Sequence, residues 1–237
     1  MKIAIINFSG NVGKTTIARQ LLAPRMKNAQ EFMVETVNAS ASDAETAAER
    51  LKGKQAGDLL QDLLLLDHAI VDIGASNVED FVRWMAKLQG SHEVFDYYVV
   101  PVISTKKQQI DAVNTIETLF SLGIPAKKIR VVFNSVEVDD ADNIAEQFPI
   151  VCGYYQERKR FTFRPDAVIF HNELFERLGL MKMTVAEVMA DETDYRATLR
   201  EAKDQQAKTQ ATTMIAAKWM ARTAHTNLDA VFKALFP

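Results

Sequence analysis

The feature that most constrains the fold of this chain is an apolar segment that leads directly into a glycine-containing loop and then into a helical segment. Residues 2–8 form the apolar segment, and the loop and helix start read Ser9, Gly10, Asn11, Val12, Gly13, Lys14, Thr15 and Thr16. Such a loop directs backbone N–H groups and a helix N-terminus at phosphate oxygens. Lys14 would neutralise the terminal phosphates, and the Thr15 hydroxyl would bind Mg²⁺. The sequence therefore predicts a nucleoside triphosphate site.

The rest of the chain predicts an α/β fold. Strand-like runs alternate with helical patterns through the first two thirds, which is typical of a mostly parallel, doubly wound sheet with helices on both faces. We predict strands at residues 32–37, 69–73, 97–103, 129–133 and 150–152. We predict helices at residues 15–23, 77–88 and 108–122, one helix around Leu59 and Leu64, and one that opens with a capping box at Ser42 and Glu45.

The length of 237 residues fits one α/β domain with an annex better than two independent domains. We expect a nucleotide-binding core at residues 1–155 and a mostly helical C-terminal annex at residues 156–237. Apolar residues at the end of the annex follow helical spacing and are poor in neighbouring positive charge, which favours core packing or a partner groove over a membrane surface. They are Leu228, Val231, Phe232, Leu235 and Phe236.

Net charge and cysteine content limit the partners and the compartment. A net charge of −3 gives no general attraction to nucleic acid or membrane, so such a contact needs a local patch. The single cysteine, Cys152, excludes an intrachain disulfide and reads as a core residue. No apolar run approaches the roughly 20 residues of a membrane span, and no leader precedes the first strand. We expect a cytoplasmic protein without a transmembrane segment.

A second motif supports the nucleotide site. Asp72 ends the apolar run 69–72 and is followed by Ile73 and Gly74, which is the form of a Walker B strand that leads into a switch loop. Its carboxylate would reach the Mg²⁺ shell, through water. Gly74 would let the backbone rearrange around a γ-phosphate.

Together these motifs resemble the ParA/MinD superfamily, whose deviant Walker A loop has the form K-G-G-x-G-K-[ST]. The residues that carry the resemblance, over about residues 1–155, are Gly10, Val12, Gly13, Lys14, Thr15, Thr16, Asp72, Gly74 and Asn134. The resemblance implies ATP/ADP and Mg²⁺ as cofactors, with Lys14 and Asp72 catalytic, Thr15 and Asp72 at the metal, and the loop including Asn11 at the phosphates. It implies an adenine contact by Asn134, for which an amide is chemically suited. It also implies a nucleotide-dependent homodimer and a DNA-binding partner protein.

Two departures from the family pattern concern hydrolysis. The family's signature lysine, which reaches the partner's nucleotide in sandwich dimers, falls on Ser9, and the second loop glycine falls on Asn11. No aspartate that could orient the attacking water is found at residues 35–40. Because a cation on the phosphates and an oriented water are the main protein contributions to phosphoryl transfer, we predict slow or partner-dependent hydrolysis.

Three functions follow. The first is a ParA/MinD-like nucleotide-switched ATPase in plasmid stability, partition or conjugative transfer, similar to proteins of the StbB type. The second is a hydrolysis-deficient nucleotide-binding scaffold. The third is a P-loop metabolic kinase or ligase, which requires a substrate site beside the phosphates that the sequence does not reveal.

One local patch combines basic and aromatic residues. It comprises Arg158, Lys159, Arg160 and Arg164, interleaved with Tyr155, Phe161 and Phe163. Such a patch could bind nucleic-acid phosphates with some stacking, although a solvated loop with aromatic anchors is the favoured interpretation and a lid over the adenine is a third. The four histidines lack metal-ligand spacing.

Overall fold

The computed structural model describes residues 1–34, 49–51 and 56–237. These residues form one sheet of seven parallel strands in the spatial order β3-β2-β4-β1-β5-β6-β7. The strands are β1 (Lys2–Ile5), β2 (Gln30–Val34), β3 (Glu49–Leu51), β4 (Ala69–Ile73), β5 (Tyr97–Val102), β6 (Ile129–Val136) and β7 (Val168–Phe170). Because β1 lies between β4 and β5, the loop after β1 opens at the centre of the carboxyl edge, where open α/β sheets bind ligands.

The strands are apolar on both sides because helices cover both faces of the sheet. Ile3 and Ile5 of β1 pack into one core, and Ala4 and Ile6 pack into the other. All five residues of β4 are buried. The predicted doubly wound α/β fold is confirmed.

The first helix, α1, follows the loop and changes its geometry along its length. It is α-helical at Lys14–Thr16, π-helical at Ile17–Leu22 and a 3₁₀-helix at Ala23–Arg25. The other helices are α2 (Ala56–Leu65), α3 (Val78–Lys87), α4 (Lys106–Ser121), α5 (Ile144–Gln147), α6 (Pro149–Arg158), α7 (Leu174–Met181), α8 (Val185–Ala190), α9 (Tyr195–Glu201) and α10 (Gln205–Leu235).

The strand predicted at residues 150–152 is wrong, since these residues lie in α6. Pro149 occupies the first helical turn, where proline is favoured. Phe148, Val151 and Cys152 then face the core at helical spacing, and three apolar residues alone do not distinguish a helix from a strand. Cys152 is buried, as expected.

Two strand boundaries also differ from the sequence-based ones. The strand predicted to end before Asn134 continues to Val136, with an irregular register after Asn134 and a φ of 59° at Ser135. The strand predicted at residues 32–37 is described as β2, and residues 35–37 lie outside the described residues. The predicted capping box at Ser42 and Glu45 also lies outside them.

The C-terminal part adds both helices and a strand to the sheet. β7 pairs with β6, and α10 packs on the same core as α1. Leu228, Val231 and Leu235 are buried in that core, which agrees with core packing. The division at residue 155 into core and annex stays a prediction.

Candidate phosphate-binding site

The loop between β1 and α1 folds around the Lys14 side chain. The Lys14 ammonium donates to the carbonyl oxygens of Ser9 at 2.6 Å and Asn7 at 3.1 Å. The buried Asn7 amide fixes the loop, because its Nδ2 donates to the Pro101 carbonyl at 2.7 Å and its Oδ1 accepts from the Ser9 N–H at 2.7 Å. Burial lowers the pKa of Lys14, and the nearby Asp72 carboxylate offsets part of that effect. The site thus holds a partly desolvated cation, which an anion would stabilise.

Gly13 and Asn134 lie in direct contact. Gly13 has a φ of 88°, and a Cβ built on it would lie 2.2 Å from Asn134 Nδ2. That amide nitrogen donates to the Val12 carbonyl at 3.0 Å. Asn134 therefore closes against the loop itself, a contact that the sequence did not predict, and its contact with adenine stays a prediction.

Asn11 adopts the backbone conformation of the glycine that it replaces. Its φ is 55°, in the left-handed region that asparagine tolerates better than most residues. Asn11 and Gly10 are both exposed, and a Cβ on Gly10 would meet no atom within 4 Å. The departure at Asn11 therefore leaves the loop open to a ligand.

Thr15 and Asp72 meet at the mouth of the loop. The pairing of β1 with β4 places Ile5 opposite Asp72, and the Thr15 hydroxyl donates to Asp72 Oδ2 at 2.6 Å. A hydroxyl beside a carboxylate is a hard oxygen donor pair suited to Mg²⁺, which takes few protein ligands and keeps several waters. Among the described residues, no group of three or more His, Cys, Asp or Glu could hold another metal.

The side chain of Ser9 is buried and turns away from the phosphate site. Its hydroxyl donates to Asp111 Oδ2 on α4, and Lys107 Nζ donates to the same oxygen at 2.9 Å. The Phe8 N–H donates to the Thr115 hydroxyl of α4 at 3.2 Å. Sequence reasoning missed this support for the loop, because Ser9 and Asp111 are 102 residues apart and no local motif joins them.

An open cavity of about 480 Å³ lies on the Asn134 side of the loop. It is lined by residues that include Thr16, Asn134, Ser135, Phe170, His171 and Arg177. Ser135 Oγ and His171 Nδ1 are 3.2 Å apart across its wall. The location next to Asn134 is where the resemblance would place the nucleoside, and the neighbouring residues Phe170 and His171 carried no sequence signal.

A second cavity, of about 310 Å³, adjoins Thr15 and Asp72. Its charged lining includes Arg19, Glu31 and Lys182. Burial raises the pKa of the half-buried Glu31, an effect that Arg19 opposes and Asp72 strengthens. The residues come from α1, β2 and the turn after α7, so sequence reasoning could not bring them together.

The basic and aromatic patch is largely structural in its centre. Phe161 is buried, and Tyr155 stacks on Phe163 with 4.9 Å between ring centroids. Arg160 forms an ion pair with Glu117 and lies over the Phe120 ring. The exposed residues of the patch, Arg158 and Lys159, remain candidates for nucleic-acid contact, and Arg164 is half-buried.

Two solved structures of McdA from Cyanothece are similar to this chain. Apo McdA is 15% identical with a TM-score of 0.53, and the match covers 79% of this chain and 92% of McdA. An ATP complex of a McdA variant is 13% identical with a TM-score of 0.55, and the match covers 99% of this chain and 95% of that one. The chain has the ParA/MinD fold.

At these identities the similarity establishes the ParA/MinD fold alone. No protein-family model matches the sequence, and no curated protein matches it. No helix in the described parts of the chain is long and apolar enough to cross a bilayer.

Proposed function

We propose that the chain is an ATP-dependent switch protein of the ParA/MinD type. The observation that carries this proposal is the arrangement at the end of β1, where Lys14 is enclosed by the loop and Thr15 is hydrogen-bonded to Asp72. A lysine, a hydroxyl and a carboxylate at the mouth of a phosphate loop are the groups that a Mg²⁺–nucleotide complex requires. The ATP complex among the similar McdA structures supports ATP as the nucleotide.

In this proposal residues 10–16 bind the phosphates, Thr15 and Asp72 hold Mg²⁺, and Asn134 contacts adenine. ATP binding orders the segment after Asp72 and drives formation of a homodimer, which changes affinity for a DNA-binding partner protein. Hydrolysis is slow or partner-dependent, because Ser9 cannot place a cation on the phosphates. The biological setting is plasmid stability, partition or conjugative transfer in the cytoplasm.

Light scattering after size exclusion tests the switch. We expect the mass to double in ATP with Mg²⁺ and to stay monomeric in ADP or without nucleotide. Phosphate release without partner should run below about 1 s⁻¹, the low end of typical enzyme rates, and added DNA or partner should raise it. Lys14→Ala should abolish the ATP effect, whereas Lys106→Ala, an exposed lysine outside the loop, should retain it.

Two results would contradict the switch. Rapid intrinsic turnover would overturn the prediction of slow hydrolysis. A monomer that binds ATP tightly and never changes mass would favour the hydrolysis-deficient scaffold.

The cavity of about 310 Å³ next to Thr15 and Asp72 favours a second function, phosphoryl transfer to a small molecule. Its volume is at the lower end of small-molecule sites. A kinase would consume ATP without releasing phosphate when its acceptor is present. Parallel assays of ADP formation and phosphate release, with a metabolite extract as the acceptor source, distinguish this function from hydrolysis.

A further inference from the structure

Lys107 lies close to the position that lacks a cation. Its ammonium and the Ser9 hydroxyl donate to the same oxygen, Asp111 Oδ2, with a Lys107 distance of 2.9 Å. These hydrogen bonds, the one from Ser9 first, hold the pKa of Asp111 below its usual range. Asp111 is therefore ionised at neutral pH and holds the Lys107 ammonium one oxygen atom away from the side chain of residue 9.

Helix stability does not explain a lysine at this position. α4 begins at Lys106, so Lys107 lies in its first turn, where the helix dipole disfavours a cation. A lysine four residues before an acid is also the weaker orientation of a helical ion pair. The Lys107 side chain is 76% exposed, and exposed pairs of this kind contribute about 0.5 kcal/mol or less.

The surroundings of Lys107 point to the phosphate site. Ser9, which Asp111 contacts, accepts the Lys14 ammonium on its carbonyl oxygen at 2.6 Å. α4 also follows β5, the strand beside β1, so its N-terminus and the loop open at the same carboxyl edge. The positive end of α4, Lys107 and Lys14 thus lie around one residue of the loop.

We propose that the Lys107 ammonium, positioned by Asp111, contacts the terminal phosphates of ATP bound in the loop and supplies the cation that Ser9 does not. The inference rests on the proposed function, since it requires ATP in the loop. A flexible four-carbon stem with little burial allows the ammonium to leave Asp111 for a phosphate oxygen. Lys107 would then stabilise the negative charge that develops during hydrolysis.

An ATP analogue with an acyl group on its terminal phosphate tests the contact directly. A lysine amine close to the phosphates attacks the acyl carbon, forms an amide and releases ATP, so mass spectrometry identifies the labelled lysine. We expect acylation of Lys14 and Lys107, suppressed by excess ATP, and no comparable acylation of the neighbouring Lys106. Labelling of Lys14 without Lys107 would overturn the inference and leave the proposed function intact. Absence of ATP-protected labelling on any lysine, together with no binding of fluorescent ATP, would overturn both.

Substitutions separate binding from turnover. Lys107→Gln should lower the rate of phosphate release about tenfold or more, while the Kd for ATP changes less than about threefold. Lys107→Arg keeps the charge and should retain most of the rate, and Lys106→Gln should match the wild type. Equal rates for Lys107→Gln and Lys106→Gln would overturn the role in hydrolysis. A melting temperature for Lys107→Gln within about 2 °C of the wild type excludes misfolding as the cause.

Discussion

Gly13 shows how a single residue shapes the phosphate loop. Its left-handed backbone and the 2.2 Å approach of Asn134 to a Cβ at this position both exclude a side chain. Asn134 in turn donates to the Val12 carbonyl, so the two residues hold the loop against β6. A larger residue at position 13 would have to move both the loop and Asn134.

Gly13→Ala should therefore destabilise the protein even without nucleotide. We expect a loss of roughly 2–4 kcal/mol in the free energy of unfolding, from the left-handed backbone and the clash together. Gly10→Ala is the matched control, because a Cβ there meets no atom within 4 Å. Urea unfolding of both variants measures the difference, and equal stabilities would contradict this account.

At the scale of residues, the sequence predicts the groups that share a local motif. Lys14 and Thr15 are adjacent in one loop, and Asp72 ends an apolar strand, so their proximity follows from the parallel-sheet rule alone. Asp111 could not be predicted in the same way, since its contact with Ser9 depends on the packing of α4 against the loop. Arg19 and Glu31 escaped prediction for the same reason.

At the scale of elements, α1 connects the phosphate loop to the C-terminal helices. The buried Gln20 lies in its π-helical segment, a geometry often found at functional sites. Gln20 Nε2 donates to the Met183 carbonyl at 3.2 Å, and its Oε1 accepts from the Val185 N–H at 2.8 Å. Arg25 at the end of α1 forms an ion pair of 2.7 Å with Asp229 of α10.

Gln20→Ala should loosen this connection. The substitution leaves two backbone groups at the start of α8 without their partner, and we expect a cost of about 2–4 kcal/mol. Hydrogen exchange should increase first at the amide of Val185. Gln210→Ala, at an exposed position of α10, should leave both stability and exchange unchanged. Unchanged exchange at Val185 in Gln20→Ala would contradict the prediction.

The elements also show where sequence patterns lose their power. Long amphipathic segments such as α3 and α4 and the buried strands β4 and β5 were predicted within a few residues. The three-residue β7 and the first turns of α6 were not, because each is a short apolar run whose state is decided by its neighbours in space.

At the scale of the whole molecule, the second core joins the two ends of the chain. Ile17 and Leu21 of α1 share this core with Ala217, Ala221 and Leu228 of α10. Small residues on α10 let the helix approach closely, and its buried positions recur at helical spacing. We therefore expect the nucleotide site and α10 to unfold together.

Ala221→Asp tests this cooperativity. It places a charge in a fully buried position and should cost about 3–5 kcal/mol. Arg222→Asp, one residue along and exposed, should change stability by less than about 1 kcal/mol. Nucleotide affinity and circular dichroism should fall in a single transition for Ala221→Asp. Persistence of ATP binding after the helix signal is lost would show that the two parts unfold independently.

The packing of α1 against α10 has a consequence for synthesis. Leu22 leaves the ribosome 206 residues before Leu228, which at about 5–20 residues per second corresponds to roughly 10–40 s. During that interval the nascent chain exposes the apolar face that α10 later covers. The phosphate loop, although translated first, therefore reaches its supported form only after translation of the last helix, and the emerging chain presents a hydrophobic surface suited to binding by chaperones.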